Sequence, residues 1–145
     1  LYKMSVNSAV SKIYPNLPEY YNLEGRGMYS YLTGSASWYV LTYICEVFGV
    51  KGEMGDLVIE PKLLKKQFDR NKTIGLKIRF AGRNLHIKFK NEKLLNWNEY
   101  KIKEAKILDK SIILTEKSPR LVIPREKLLK LTQEKILNEI IVVLG

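Results

Sequence analysis

The hydrophobic period of this chain switches from 3.6 to 2 after Gly49, and that switch limits what the chain can fold into. Before it, Trp38, Leu41, Ile44, Cys45 and Phe48 recur at helical spacing, and Tyr39, Val40, Tyr43 and Val47 add a second apolar face. The pattern predicts a helix over 35–48, buried on most of its sides, with Gly49 as its C-terminal stop. After it, Ile74, Leu76, Ile78 and Phe80 alternate with Thr73, Gly75, Lys77 and Arg79. A turn at Ala81-Gly82-Arg83-Asn84 follows, and then Leu85, Ile87 and Phe89 alternate with His86, Lys88 and Lys90. That is a β-hairpin with one wet face.

The remaining segments extend the β reading. Residues 57–59 form a short strand ended by Pro61. Residues 99–108 form another, in which Tyr100 and Ile102 are out of phase with Ala105 and Ile107, so a bulge near Lys103 is expected. Short strands at 111–114 and 121–123 flank a turn at 117–119, Pro124 opens a short helix through about Lys130, and 140–144 closes the chain as a strand. Upstream, Tyr2, Val6, Val10 and Ile13 lie close to helical spacing. From 14 to 31, Pro15, Pro18, Gly25 and Gly27 break all periodicity, and Tyr14, Tyr20, Tyr21, Tyr29 and Tyr31 are interleaved. This reads as an ordered loop. Its tyrosines either form a wall on which a pyranose stacks or pack the loop onto its own domain. The expected fold is therefore mostly β: a helical and loop-like segment over 1–50, then an antiparallel β-sandwich over 51–145.

At 145 residues the chain holds one ordinary domain, or a small domain and part of another. No apolar run approaches the ~20 residues that span a bilayer, so no membrane partner is expected. The N-terminus has no signal-peptide pattern and begins at Leu1 without an initiator Met, as a fragment or processed product would. The single cysteine, Cys45, sits among apolar neighbours and reads as a small core residue in a reducing compartment, which points to the cytoplasm. The net charge is +10, but 19 of the 25 basic residues are lysines scattered between glutamates and apolar residues. Even the nearest cluster, Lys62, Lys65, Lys66, Arg70 and Lys72, reads as a solvated face, and no nucleic-acid partner is expected.

Most catalytic classes fail on inventory. One His and one Cys cannot build a metal site. His86 falls on the polar face of a hairpin strand, no Ser lies in a nucleophile elbow, and there is no phosphate-binding loop or dinucleotide fingerprint. Glu19, Glu24, Glu46 and Asp56 do not have the spacing of a glycosidase pair. One stretch stands out: Leu32-Thr33-Gly34-Ser35-Ala36-Ser37-Trp38. Small residues open the helix, Thr33 and Ser35 offer cap oxygens, and Gly34 permits close approach of a ligand to the backbone. The free N–H groups of such a helix start suit an anion.

Several runs together resemble the C-terminal end of glycoside hydrolase family ninety-four, the cellobiose, cellodextrin, chitobiose and β-glucan phosphorylases. They are Tyr14-Pro15-Asn16-Leu17-Pro18-Glu19-Tyr20, Gly25-Arg26-Gly27-Met28-Tyr29, Tyr31 through Trp38, Phe48-Gly49-Val50-Lys51-Gly52 and Gly55-Asp56-Leu57-Val58-Ile59-Glu60-Pro61. The resemblance implies that 1–50 is the end of an (α/α)6 barrel and that 51–145 is a C-terminal jelly-roll-like β-sandwich. It implies a glycosyltransferase activity of the parent protein: inverting phosphorolysis of β-glucosidic bonds in di- or oligosaccharides, giving α-glucose 1-phosphate. Inorganic phosphate is the co-substrate and no cofactor is used. Thr33 and Gly34 match the family's phosphate-binding Thr-Gly pair. The general acid and the other phosphate ligands lie upstream in the family pattern, so this chain carries no catalytic residue and is expected to be inert alone. Family members are commonly dimers, which makes a homodimer the expected assembly. The alternative is a non-catalytic carbohydrate-binding or assembly β-sandwich.

Overall fold

A computed structural model describes residues 4–13, 18–29, 34–112 and 118–145. The chain is mostly β and divides into two compact units, Leu1–Tyr43 and Ile44–Gly145. The division falls inside the predicted helix, whereas the boundary read from the sequence follows the change of period at 49–55.

In the first unit the helical spacing near the N-terminus yields a single turn, α1 (Ser8–Ser11). Asn7 caps it by accepting the Ala9 N–H, and Lys12 ends it in the left-handed region at φ 58°. The aromatic segment contains a small hairpin, β1 (Tyr20–Tyr21) with β2 (Gly27–Met28), which periodicity did not reveal. Helix α2 (Ser35–Thr42) follows and widens into a π-helical turn over Tyr43–Val47. The expectation of burial on most sides is not met: Trp38, Tyr39, Val40 and Leu41 are all more than half exposed. An all-round apolar helix needs neighbours on every side, and among the described residues of its unit α2 lacks them.

The second unit holds two sheets over one core. The smaller has the order β3 (Val50–Glu53), β4 (Asp56–Ile59), β9 (Leu121–Ile123), all antiparallel. The larger has the order β5 (Thr73–Phe80), β6 (Arg83–Lys90), β10 (Leu137–Leu144), β7 (Ile102–Ile107), β8 (Lys110–Ile112). The predicted hairpin is β5–β6, closed by Ala81 and Gly82 with φ of 48° and 77°, the positive values that a tight two-residue turn requires. The predicted bulge is present, because Val143 pairs with Glu104 and Leu144 with Ile102, leaving Lys103 unpaired between them. Helix α3 (Arg125–Leu131) follows Pro124, which sits one residue earlier than expected, at the N-cap.

One pairing corrects the wholly antiparallel expectation. β10 runs parallel to β6, with Leu137 opposite Asn84 and Val143 opposite Lys90, so the larger sheet is mixed. Its closing strand starts at Leu137 rather than 140 and is central, not an edge. A strand paired on both sides and reading Ile140-Ile141-Val142-Val143 is suited to that place. The core gathers Leu85, Ile87, Phe89, Ala105, Ile107, Ile140, Val142 and Leu144 from the larger sheet and Leu57, Ile59, Leu121 and Ile123 from the smaller. Tyr100 lies beside it, buried, its hydroxyl donating to the Pro61 carbonyl at 3.0 Å and accepting the Leu63 N–H at 2.7 Å.

Candidate functional site

The sequence placed its strongest signal at Thr33 and Gly34. Thr33 lies outside the described residues, as do Tyr14 and Tyr31. Gly34 is described, and it opens α2 as its N-cap, with its carbonyl accepting the Trp38 N–H at 3.1 Å.

The hairpin before α2 supplies the other wall. Asn22 accepts the Arg26 N–H with its side chain at 2.8 Å, which fixes the hairpin turn. Tyr20 and Tyr29 meet edge to face, 5.5 Å between ring centres at 83°. Gly27 is packed too tightly for any side chain, since a Cβ there would stand 2.1 Å from the Ser11 carbonyl oxygen. Glu19 is held by its N–H, which donates at 3.2 Å to Met28 and Tyr29 carbonyls. Its carboxylate lies directly over Gly34, where a Cβ would come within 2.2 Å of Oε1.

Between hairpin and helix is an open cleft of about 490 Å³, lined by Glu19, Tyr20, Gly34, Trp38, Tyr39 and Thr42 together with Pro18. It has aromatic faces, a carboxylate and a hydroxyl. Such a set suits a pyranose, whose C–H face stacks on a ring while its hydroxyls donate to an acceptor. Electrostatically the Glu19 carboxylate occupies the place at the start of α2 that an anion would favour. Sequence reasoning did not pair Glu19 with Gly34. The signal available was Glu19's place one residue before the tyrosine pair of the hairpin.

The other sequence candidates have structural employment. Glu46 pairs with Lys62 at 2.8 Å, and this hydrogen bond and charge hold the Glu46 carboxyl below its ordinary pKa. Asp56 accepts the Arg125 N–H at 2.8 Å and so caps α3. Glu24 stands exposed in the hairpin turn. These carboxylates form no catalytic pair with one another. Cys45 is half-buried and free. His86 lies on the outward face of β6 over Gly75, and burial, followed by Lys88 and Lys77, lowers its pKa. Lys72 reaches the Glu92 carbonyl at 2.8 Å, so the 62–72 cluster is partly tied down. No group of metal-ligating side chains exists among the described residues, and none of their helices is long and apolar enough to cross a membrane. No protein-family model matches the chain, and no curated protein matches it either.

Proposed function

We propose that the chain is the C-terminal portion of an inverting glycoside phosphorylase resembling glycoside hydrolase family ninety-four. In that reading 1–50 ends an (α/α)6 barrel and 51–145 is its jelly-roll-like closing domain. The parent enzyme is a cytoplasmic homodimer that cleaves β-glucosidic bonds of di- or oligosaccharides with inorganic phosphate, releasing α-glucose 1-phosphate. The observation that carries the reading is the cleft at Gly34, where the start of α2 adjoins Trp38, Tyr39 and the Glu19 carboxylate. The exposed apolar surface of α2 supports it, because a helix cut from a barrel would display that surface.

In this mechanism phosphate attacks C1 from the face opposite the leaving oxygen. Phosphate needs no activating carboxylate, unlike the water of an inverting hydrolase. It needs donors: the Thr33 hydroxyl and the Gly34 backbone would supply part of them, and cationic residues upstream the rest. Glu19, whose carboxylate lies over Gly34, would accept hydrogen bonds from the sugar hydroxyls in this reading.

The test joins this chain to the segment encoded upstream. The chain alone, given cello-oligosaccharides and phosphate, is expected to release no glucose 1-phosphate, and the joined protein is expected to release it. Thr33→Val in the joined protein should raise the KM for phosphate by about tenfold, the loss of one hydrogen bond to a charged group. Release of glucose 1-phosphate by the chain alone would overturn the proposal. A second reading, a non-catalytic carbohydrate-binding module, is favoured by the aromatic lining of the same cleft, and it requires sugar binding that does not change when phosphate is added.

A further inference from the structure

The outward face of the five-stranded sheet gathers charges that the sequence scatters. Strand register puts Lys77 beside His86, Gly75 beside Lys88 and Arg79 beside Asn84. On the other side of β6, Ile141 stands opposite Lys88 and Val143 opposite Lys90. Across β10, Ile141 faces Lys106 and Val143 faces Glu104. The outward row on β10 is Leu137, Glu139, Ile141 and Val143, apolar but for Glu139, with Lys88 and Lys90 flanking it on β6 and Lys106 with Glu104 flanking it on β7. Leu137 is 47% exposed. Both carboxylates of this face are already neutralised: Glu139 by Lys88 at 2.5 Å and Glu104 by Lys106 at 2.9 Å. Lys77, Arg79 and Lys90 have no ion pair among the described residues, and all three lie on the β5–β6 side. A small recess of about 190 Å³, lined by Lys106, Leu108, Asp109, Glu139 and Ile141, opens at the β7–β8 end of the row.

We propose that this face docks an acidic, amphipathic protein helix along β10. The row from Leu137 to Val143 spans about 20 Å, which is the length of a helix of about thirteen residues. Apolar residues of the partner cover Ile141 and Val143, and carboxylates on one flank of its apolar stripe meet Lys77, Arg79 and Lys90. The charge is asymmetric across the row, so it sets the orientation of the bound helix. Nucleic acid fits this face less well. Its phosphates leave Leu137, Ile141 and Val143 uncovered. Nothing in this inference depends on the cleft of the first unit.

The experiment is a heteronuclear NMR titration of the full chain with four probes: an acidic amphipathic helical peptide, a scrambled peptide of the same composition, a basic amphipathic peptide and a DNA duplex. The acidic amphipathic peptide should shift amides of β5, β6 and β10 and bind at least fivefold more tightly than the scrambled one. Lys77→Glu, Arg79→Glu and Lys90→Glu together should weaken it about tenfold or more, and the same three changes to Gln by a smaller factor. The Gln variant carries the test if the Glu variant fails to give a dispersed spectrum. Ile141→Thr with Val143→Thr should weaken it severalfold, whereas Lys65→Glu, Lys66→Glu and Arg70→Glu together should change it less than twofold. Equal binding of the scrambled peptide, equal weakening by the control reversal, no shifts on this face, or tighter binding of the duplex with indifference to the Thr substitutions would each overturn the proposal.

Discussion

Tyr100 shows how much one side chain decides. Its hydroxyl is inside the protein and joins the segment after β4 to the turn before β7 through Pro61 and Leu63. Tyr100→Phe would leave the Leu63 N–H without that acceptor, at a cost of about 1–3 kcal/mol. Burial pushes the phenol up to about 12 from its ordinary value near 10. The unfolded chain therefore loses this proton first, and the native state binds more protons between those two values. The stability Tyr100 contributes is fully present below pH 10 and declines as pH rises from about 10 to 12. Urea unfolding of wild type and Tyr100→Phe at a series of pH values should show a constant difference up to pH 10 and a shrinking one above it. A difference that stays constant to pH 12 would remove the burial argument.

Among the elements, β10 is the most consequential; it was legible as a strand, but its place between two others was not. The hairpin β5–β6 could be read from the sequence because its alternation is unbroken and Ala81-Gly82 supplies the turn. The Lys103 bulge could be read because the apolar phase slips by one residue there. By contrast, β3 contributes one buried residue, Val50, so its four residues carry no period to detect. The parallel pairing of β10 with β6 joins residues about fifty apart in sequence, and no local pattern encodes which two strands a distant one will enter. The Gly34 site was half legible for the same reason: the turn is written in consecutive residues, but the Glu19 carboxylate over it comes from a separate hairpin. Because β10 is paired on both sides and Ile140, Val142 and Leu144 are buried, its amides should be the slowest to exchange. Hydrogen exchange should show Ile140 through Val143 protected at least a hundredfold more than the β5 edge. Comparable rates in β5 and β10 would mean that the central position carries no extra stability.

The two units of the molecule differ in what they bury. Among the described residues, every buried Ala, Val, Leu, Ile, Phe and Tyr lies at or after Val50. Among its described residues, the second unit packs nineteen buried apolar side chains into the one core that its two sheets close over. Among the described residues of the first, the buried positions are Ser11, Pro18, Gly25 and Gly27, whereas Trp38, Tyr39, Val40 and Leu41 are exposed. Burial of apolar surface is the main favourable contribution to folding, at roughly 25 cal/mol per Å². Residues 44–145 expressed alone should therefore melt in one cooperative transition at a temperature close to that of the full chain. Residues 1–43 alone should show no transition and should self-associate through α2. Trp38→Ser with Leu41→Ser should reduce self-association of the full chain and leave the melting of 44–145 unchanged, because neither side chain belongs to the core of the second unit. Circular dichroism melts together with sedimentation of the four proteins give the comparison. A loss of cooperativity on removing 1–43 would mean that the β unit depends on the first unit for folding, and the core as described could not explain that.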